Sequence, residues 1–540
     1  MTAPSAAAAP VHGSAWSPLG LPVFRWLWVA TLASNVGTWM HEIGAGWLMT
    51  SLSPSPLMVA LVQTTTTLPI FFLALPAGAL ADIVDRRRYL IGAQIWLAWV
   101  ATALAVLTFS GEMTSLRLLM LTFAMGVGAA MMMPAWASIL PEIVPRDELP
   151  AAIALNSLGV NVARAIGPAL AGVIVSLAGT GAVFALNAVS YAGVIWVLTR
   201  WQREVPASAL PAERFFSALR AGVRYARHAP ALHAAVLRGA AFFLFASATW
   251  ALLPLIARGL PGGGPETFGL LVAAIGAGAV GGAFVLPALR AAVSRDVLVA
   301  GATGLYALAM LALASLQQLL LLCLAMAASG VAWIVVLSSL QVAAQLALPN
   351  WVRSRGLAVF MAIFMGAMAV GSLVWGSVAA AIGIGAALTL AATGAVVAIG
   401  LTWRWRISGI EDVDLTPAMH WPTPQAHAGV TPDQGPVLVT VEYDVLPAQR
   451  ATFQNLLQRL SAQRKRDGAF FWSVFEDTET PNRFIETFTV ESWLEHLRQH
   501  ERVTAEDQAL QQQVHTLLAD GGPPLVRHFV AANDKRRVMP

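Results

Sequence analysis

The chain has 540 residues, of which 57% are hydrophobic and 11% charged, with a formal net charge of +4. A soluble domain carries roughly 25% charged residues, so this deficit excludes an ordinary soluble protein and points to a membrane protein. The single cysteine, Cys323, lies in an apolar stretch and excludes an intrachain disulfide and a cysteine metal cluster.

Residues 1–21 are rich in Ala, Pro and Ser and read as a disordered tail without the basic start of a secretory signal. A membrane span needs about 20 apolar residues. Twelve stretches fit: 22–50, 56–80, 89–110, 116–140, 150–178, 181–200, 235–258, 266–289, 297–315, 318–346, 356–381 and 384–403. They group as an N-terminal half over 22–200 and a C-terminal half over 235–403.

Alternate loops differ in charge. One side holds Arg86, Arg87, Arg88, Arg146, Arg290, Arg295, Arg353 and Arg355, together with Arg200, Arg203, Arg214, Arg220, Arg224, Arg227 and Arg238 of the central segment. The other side shows Arg117 and Arg258. This asymmetry predicts both termini inside the cell and an even number of spans. Such loop arginines orient the chain in a bilayer, so the basic balance implies no nucleic-acid partner.

The segment 201–234 interleaves Phe215, Phe216, Leu219, Val223 and Tyr225 with Arg214, Arg220, Arg224 and Arg227. It reads as a cytoplasmic amphipathic linker, either lying on the inner leaflet or simply connecting the halves. The halves repeat at an offset of 204 residues. That shift places Gly78 on Gly282, Arg86 on Arg290, Gly126 on Gly330, Pro145 on Pro349, Gly167 on Gly371, Gly172 on Gly376 and Gly179 on Gly383.

The most specific motif is the run Gly78-Ala79-Leu80-Ala81-Asp82-Ile83-Val84-Asp85-Arg86-Arg87-Arg88 between the second and third spans. Three adjacent arginines are costly inside a bilayer, so the run is a surface loop. Gly78 permits close helix approach, and Asp82 and Asp85 stand where they can pair with arginines. The run resembles the loop between spans two and three of the major facilitator superfamily. That resemblance implies an all-α membrane protein with twelve transmembrane helices in two six-helix halves, related by an axis along the membrane normal.

In the fifth span, Gly167-Pro168-Ala169-Leu170-Ala171-Gly172 resembles the G-P-x-x-G-G signature of drug and solute antiporters in that superfamily, with Ala171 replacing one glycine and Ala163 the leading one. Small residues there allow close helix packing, and Pro168 bends the helix. Arg164 lies deep in the same span, one turn after Asn161. A charge at that depth needs water or a partner. Glu42 of the first span reaches a comparable depth, beside His41. Glu42, Arg164, Asn161 and Asn35 are therefore the candidate transport cavity, and a Glu42–Arg164 pair is a natural proton-coupling element because protonation releases it.

The C-terminal half offers Gln341 and Gln345, with Trp250 and Trp333 as candidate aromatic walls. At the repeat offset Met368 stands for Arg164 and Met365 for Asn161. The arginine that many proton antiporters carry before a G-x-G-A-A stretch is here Thr122, which departs from the usual coupling pattern. Together with W-L-M-T-S-L at the end of the first span and R-S-R-G at 353–356, the pattern over 22–403 resembles the enterobactin-exporter-like branch of the superfamily.

Residues 404–436 have a linker composition. Beyond them, 437–535 predicts a small soluble domain: a strand over 437–443, a helix over 447–466 and strands over 470–476 and 483–490. Helices near 491–500 and 503–519 follow, and a strand over 525–531 closes the unit. The order strand-helix-strand-strand-helix-strand is the ferredoxin-like α+β unit.

The segment from Glu486 through Trp493 to His496 and His500 resembles the antibiotic-biosynthesis monooxygenase domain. That resemblance implies dimerisation through sheets and, for a catalytic version, Trp472, Asn455 and His500 as the groups to try. His496 and His500 stand four apart on a helix, as a metal pair would, but no third ligand is evident, so neither metal nor cofactor is expected.

The expectation is a secondary transporter of the bacterial inner membrane, exporting a small amphipathic solute, siderophore-like or drug-like. Protons are a candidate coupling ion, and no P-loop for ATP is visible. The rivals are a membrane-tethered monooxygenase and a transporter regulated by its C-terminal domain.

Overall fold

The computed structural model describes residues 16–201 except 146, 215–409 except 350, and 414–532 except 417, 419, 420, 422, 423, 425, 426, 428, 520 and 521. Arg146, Arg203, Arg214 and most of the tail 1–21 lie outside the described residues, as do the side chains of Asp82, Phe215, Phe216 and Leu219. The chain divides into two compact units. One comprises Met1–Ala212, Leu237–Ser339 and Met361–Arg404, the other Glu213–Val236, Leu340–Phe360 and Trp405–Pro540.

Helices α1 (Pro22–Leu52), α2 (Pro56–Ile83), α3 (Arg86–Phe109), α4 (Ser115–Ile143) and α5 (Leu149–Arg200) form the first half of the chain. A short helix α6 (Phe215–His228) precedes α7 (Pro230–Gly259), α8 (Pro265–Ala292), α9 (Arg295–Ser315), α10 (Leu319–Leu346), α11 (Arg353–Ile382) and α12 (Ile384–Thr402). Proline opens α1, α2 and α8, where its missing N–H costs nothing. Asp85, Thr114 and Ser294 cap α3, α4 and α9 by accepting an amide of the first turn.

Among the described residues, ten helices are long and apolar enough to cross a membrane. The spans predicted over 150–178 and 181–200 form one 52-residue element, α5, about 78 Å at 1.5 Å per residue. That is more than twice a bilayer core of ~30 Å. It breaks at Gly179, whose φ of 79° and ψ of 170° are non-helical. Gly383, the repeat partner of Gly179, has φ 89° and ψ 158° between α11 and α12. The same left-handed residue turns the chain at the same place in both halves, a conformation only glycine adopts readily.

Large apolar side chains stay exposed around the bundle, with Leu177 and Phe284 both at 82%. An apolar surface of this kind requires lipid. Inside the first half, Leu97, Val100, Leu104, Leu118 and Phe184 pack together. In the second half, Arg238 of α7 and Asp296 of α9 form a 2.6 Å ion pair with side chains 4% and 2% exposed, and Arg238 also stacks over Trp403.

The second unit carries the sheet. Strands β1 (Val437–Asp444), β2 (Phe471–Glu476), β3 (Arg483–Val490) and β4 (Leu525–Val530) are antiparallel in the order β2-β3-β1-β4. Helices α13 (Arg450–Asp467), α14 (Trp493–Arg502) and α15 (Ala505–His515) complete it. β1 alternates strictly: Val437, Val439, Val441 and Tyr443 point inward onto Phe453, Leu457 and Leu460 of α13 and Val514 of α15.

The described arginines of α6 have acidic neighbours within the second unit. Arg220 and Arg224 approach Glu491 and Glu495 at 3.6 and 3.5 Å, and Arg466 lies over Tyr225. Tyr225 in turn meets Trp351 edge-on, and Arg502 covers Trp351 at 4.3 Å.

Removing one member of the Arg238–Asp296 pair strands a buried charge, which costs about 3–5 kcal/mol. Asp296→Asn is expected to lower the thermal unfolding midpoint in detergent, followed by tryptophan fluorescence. The double variant Arg238→Met/Asp296→Leu recovers most of the loss.

Candidate functional site

A cavity of about 40 Å³ lies among α1, α2, α7 and α8, lined by Trp39, Glu42, Gln63, Trp250, Pro254 and Phe268 among others. That volume holds a few water molecules. Glu42 is exposed within the bundle, whereas His41 beside it is buried against Phe184 with neither ring nitrogen hydrogen-bonded among the described residues.

Arg164 is close enough to Glu42 for their charges to interact. Its guanidinium stacks over Trp39 at 5.6 Å, and its Nε is buried without a hydrogen-bond partner among the described residues. Asn161 does not reach toward Arg164. It donates to the Ser157 carbonyl of its own helix at 2.9 Å. Asn35 is half-buried on α1 and, like Arg164, is not part of the cavity's described lining. Gln341 and Gln345 are exposed on the part of α10 that belongs to the other compact unit. Trp250 lines the cavity. Trp333 is buried instead, in an aromatic cluster with Phe242, Phe243, Tyr306 and Phe364.

Of the two glycines of the fifth-span motif, Gly167 packs within its own half and Gly172 against the other half. A Cβ on Gly167 would stand 2.7 Å from Trp39 Cβ of α1. On Gly172 it would stand 2.8 Å from Glu266 Cα and the Pro265 carbonyl of α8. Gly269 and Gly276 of α8 press in the same way on the backbone of α5 at Pro168 and Arg164. The repeat partner Gly376 of α11 meets Ala60 and Leu57 of α2, and the Thr64 hydroxyl donates to the Ala369 carbonyl at 3.2 Å. Arg258 at the end of α7 donates to the Thr50 and Ser51 hydroxyls at the end of α1 at 2.9 and 3.1 Å. The halves therefore meet backbone to backbone at the end that bears the α1–α2 and α7–α8 loops. Sequence reading found Gly167, Pro168 and Gly172. It missed Gln63, Thr64 and Arg258, whose only signals are polarity in an apolar helix and an arginine on the sparsely charged side.

In the arginine loop, Asp85 accepts the Arg88 amide at 2.9 Å and so caps α3. Arg86 pairs with Glu142 of α4 at 2.7 Å. Arg87 Nε donates to the Leu198 carbonyl at the end of α5, also at 2.7 Å. Gly78 faces Pro134 of α4. The loop thus ties α3 to α4 and to the end of α5, and Glu142 is an acceptor the motif did not anticipate.

In the C-terminal domain, Glu486 is fully buried and fully engaged. It accepts from Tyr443 at 2.8 Å, Trp472 at 2.9 Å and Arg464 at 3.1 and 3.4 Å. Trp472 is thereby a partner of Glu486, and Asn455 is exposed on α13. His500 lines an open cavity of about 780 Å³ on the helix-covered face of the sheet. The three groups expected for oxidation chemistry do not converge.

This architecture is that of a membrane transporter of the major facilitator type. A family model described as "transmembrane secretion effector" matches residues 13–536, and the chain belongs to that family. It is 29% identical over 158 residues to the staphyloferrin A transporter of Staphylococcus aureus, covering 29% of this chain and 40% of that protein. It is 24% identical over 251 residues to the uncharacterized MFS-type transporter YfiS of Bacillus subtilis, covering 45% and 59%. It is 21% identical over 164 residues to macrolide efflux protein A of Streptococcus pyogenes, covering 30% and 40%. The aligned part is thus less than two thirds of each of these relatives.

Among solved structures, a POT family transporter with a thioalcohol-conjugated peptide matches at TM-score 0.59 and 12% identity, over 72% of this chain and 96% of that one. A bacterial homologue of the iron transporter ferroportin in an inward-facing state matches at 0.57 and 14%, over 72% and 99%. These likenesses concern the fold.

Gly172→Val is expected to hold the α5–α8 seam open, because the added atoms meet backbone. In a Cys323→Ala background, a cysteine at position 42 then becomes reactive to an impermeant thiol reagent added from the side of the α7–α8 loop. Unchanged labelling refutes the seam.

Proposed function

We propose that this protein is a secondary transporter of the bacterial inner membrane that exports a small amphipathic solute by alternating access. The reading takes the ten apolar helices, α1 and the break in α5 as twelve crossings, with both termini and the C-terminal domain cytoplasmic. The observation that carries it is the glycine seam. Gly172 and Gly376, related by the repeat, each lie against the opposite half, so closure at one end is built from two equivalent helix crossings. With that end shut, the transport cycle as proposed would open next at the opposite, cytoplasmic end. Export of siderophore-like or drug-like solutes is supported by two relatives, a staphyloferrin A transporter and a macrolide efflux protein.

Glu42 and Arg164 are the proposed coupling elements. Protonation of Glu42 would weaken its attraction to Arg164, and a proton lost or gained there changes which side of the cavity is stable. The C-terminal domain is proposed to be a ferredoxin-like module that regulates or pairs the transporter. Its outer sheet face exposes Phe471, Phe475, Leu525 and Phe529, which suits sheet-to-sheet dimerisation. A catalytic tail is disfavoured, since Trp472, Asn455 and His500 do not share a site.

Solute accumulation in inverted vesicles with and without a pH gradient tests the reading. Gradient-dependent uptake is expected in the wild type and at least ten-fold less of it in Glu42→Gln. Unchanged proton dependence removes Glu42 from the mechanism. Deleting residues 404–540 is expected to leave transport in place, and its complete loss would favour the tail as the active part.

A further inference from the structure

The C-terminal cavity brings together three imidazoles from two elements. His496 and His500 lie four residues apart on α14, and His528 comes from the inward face of β4, opposite Val439. One ring nitrogen of each lies within 4.8 Å of the others. The two Nε2 atoms on α14 are 3.2 Å apart, and the His496 and His528 rings are 4.7 Å apart between centroids. We propose that His496, His500 and His528 bind a divalent transition metal of the Zn²⁺, Co²⁺ or Ni²⁺ class on the wall of this cavity.

The geometry fits that class. A tetrahedral metal at about 2.0–2.1 Å from each nitrogen sets its ligands about 3.4 Å apart. The pair on α14 already stands at that edge length, and His528 needs only a side-chain adjustment. Three nitrogen donors without a carboxylate suit borderline metals and not Mg²⁺ or Ca²⁺.

His496 Nδ1 is buried without a hydrogen-bond partner among the described residues.

The surroundings hold the rings in place. Trp421 meets His500 edge-on at 4.9 Å and is itself fixed by its Nε1–H to Gln511 Oε1 at 2.7 Å. Trp493 stacks near His496 and His528. The nearby Arg464 has its charge balanced by Glu486, so it opposes a cation only weakly. A fourth coordination position would face the 780 Å³ cavity, large enough for a drug-sized ligand.

The test uses the full chain in detergent after chelator treatment, titrated with Co²⁺. One equivalent is expected to give the visible absorption bands of a tetrahedral site, displaced by Zn²⁺. His496→Ala and His528→Ala should each weaken binding by at least ~10-fold, while His427→Ala, an exposed histidine, should not. Zn²⁺ should also raise the unfolding temperature of the wild-type chain, since it binds only the folded site. This second readout does not depend on a variant folding. Absence of both the bands and the thermal shift overturns the proposal, as does stoichiometric binding that His528→Ala leaves unchanged.

Discussion

The close approach of backbones at small residues is the constraint on which the membrane part depends. Lipid tails are as apolar as leucine, so hydrophobic burial cannot hold one helix against another inside a bilayer. What remains is van der Waals contact at short range and hydrogen bonding to carbonyls. The seam of α5 and α8 uses the first of these, with glycines on both helices approaching main-chain atoms of the other. A contact of this kind has no side chains to reorganise when it parts. It can therefore open and close as a rigid surface, which a jigsaw of large side chains could not do without repacking.

The charged residues follow a complementary logic. Near the ends of helices arginines are spent on carbonyls, hydroxyls and acidic side chains of neighbouring helices. Arg87 reaches the last carbonyls of α5, where the partial negative charge of the helix end favours a cation. Arg86 and its repeat partner Arg290 perform related tasks with different acceptors, Glu142 for the first and Ser338 for the second. The repeat preserves the position of the cation while the partner varies. Deeper in the bundle, Arg164 stacks over the Trp39 ring and lies within charge–charge range of Glu42.

Much of this was legible in the residues, for identifiable reasons. Apolar stretches of span length announce helices because the bilayer demands internal backbone bonding. The glycine offset of 204 marked positions that turn out to share backbone geometry, as at Gly179 and Gly383. The strands of the tail followed from strict alternation. What stayed hidden depends on neighbours in space. Nothing in the sequence near Asn161 says that its amide bonds backward to Ser157, and nothing near Trp333 says that five aromatic rings pack around it. His528 stands 28 residues beyond His500, across a helix and a turn, so spacing rules for metal ligands could not link them. The amphipathic pattern of α6 correctly signalled a helix with two unlike faces, but a periodicity carries no label for the surface it meets.

That last point bears on why the tail is attached to a transporter at all. Helix α14 serves two masters. Its inward side carries His496 and His500, whereas Glu495 and Arg502 on other sides engage Arg224 of α6 and Trp351 of the segment between α10 and α11. A helix of ten residues is too short to distort internally at low cost, so a change of its position on one side is carried as a rigid movement to the other. The segments it touches, α6 and the turn before α11, are the connections that would shift if the halves rock as proposed. A ligand that fixed α14 against β4 would then bias the conformations open to those connections, by as much as its affinity differs between them and no more.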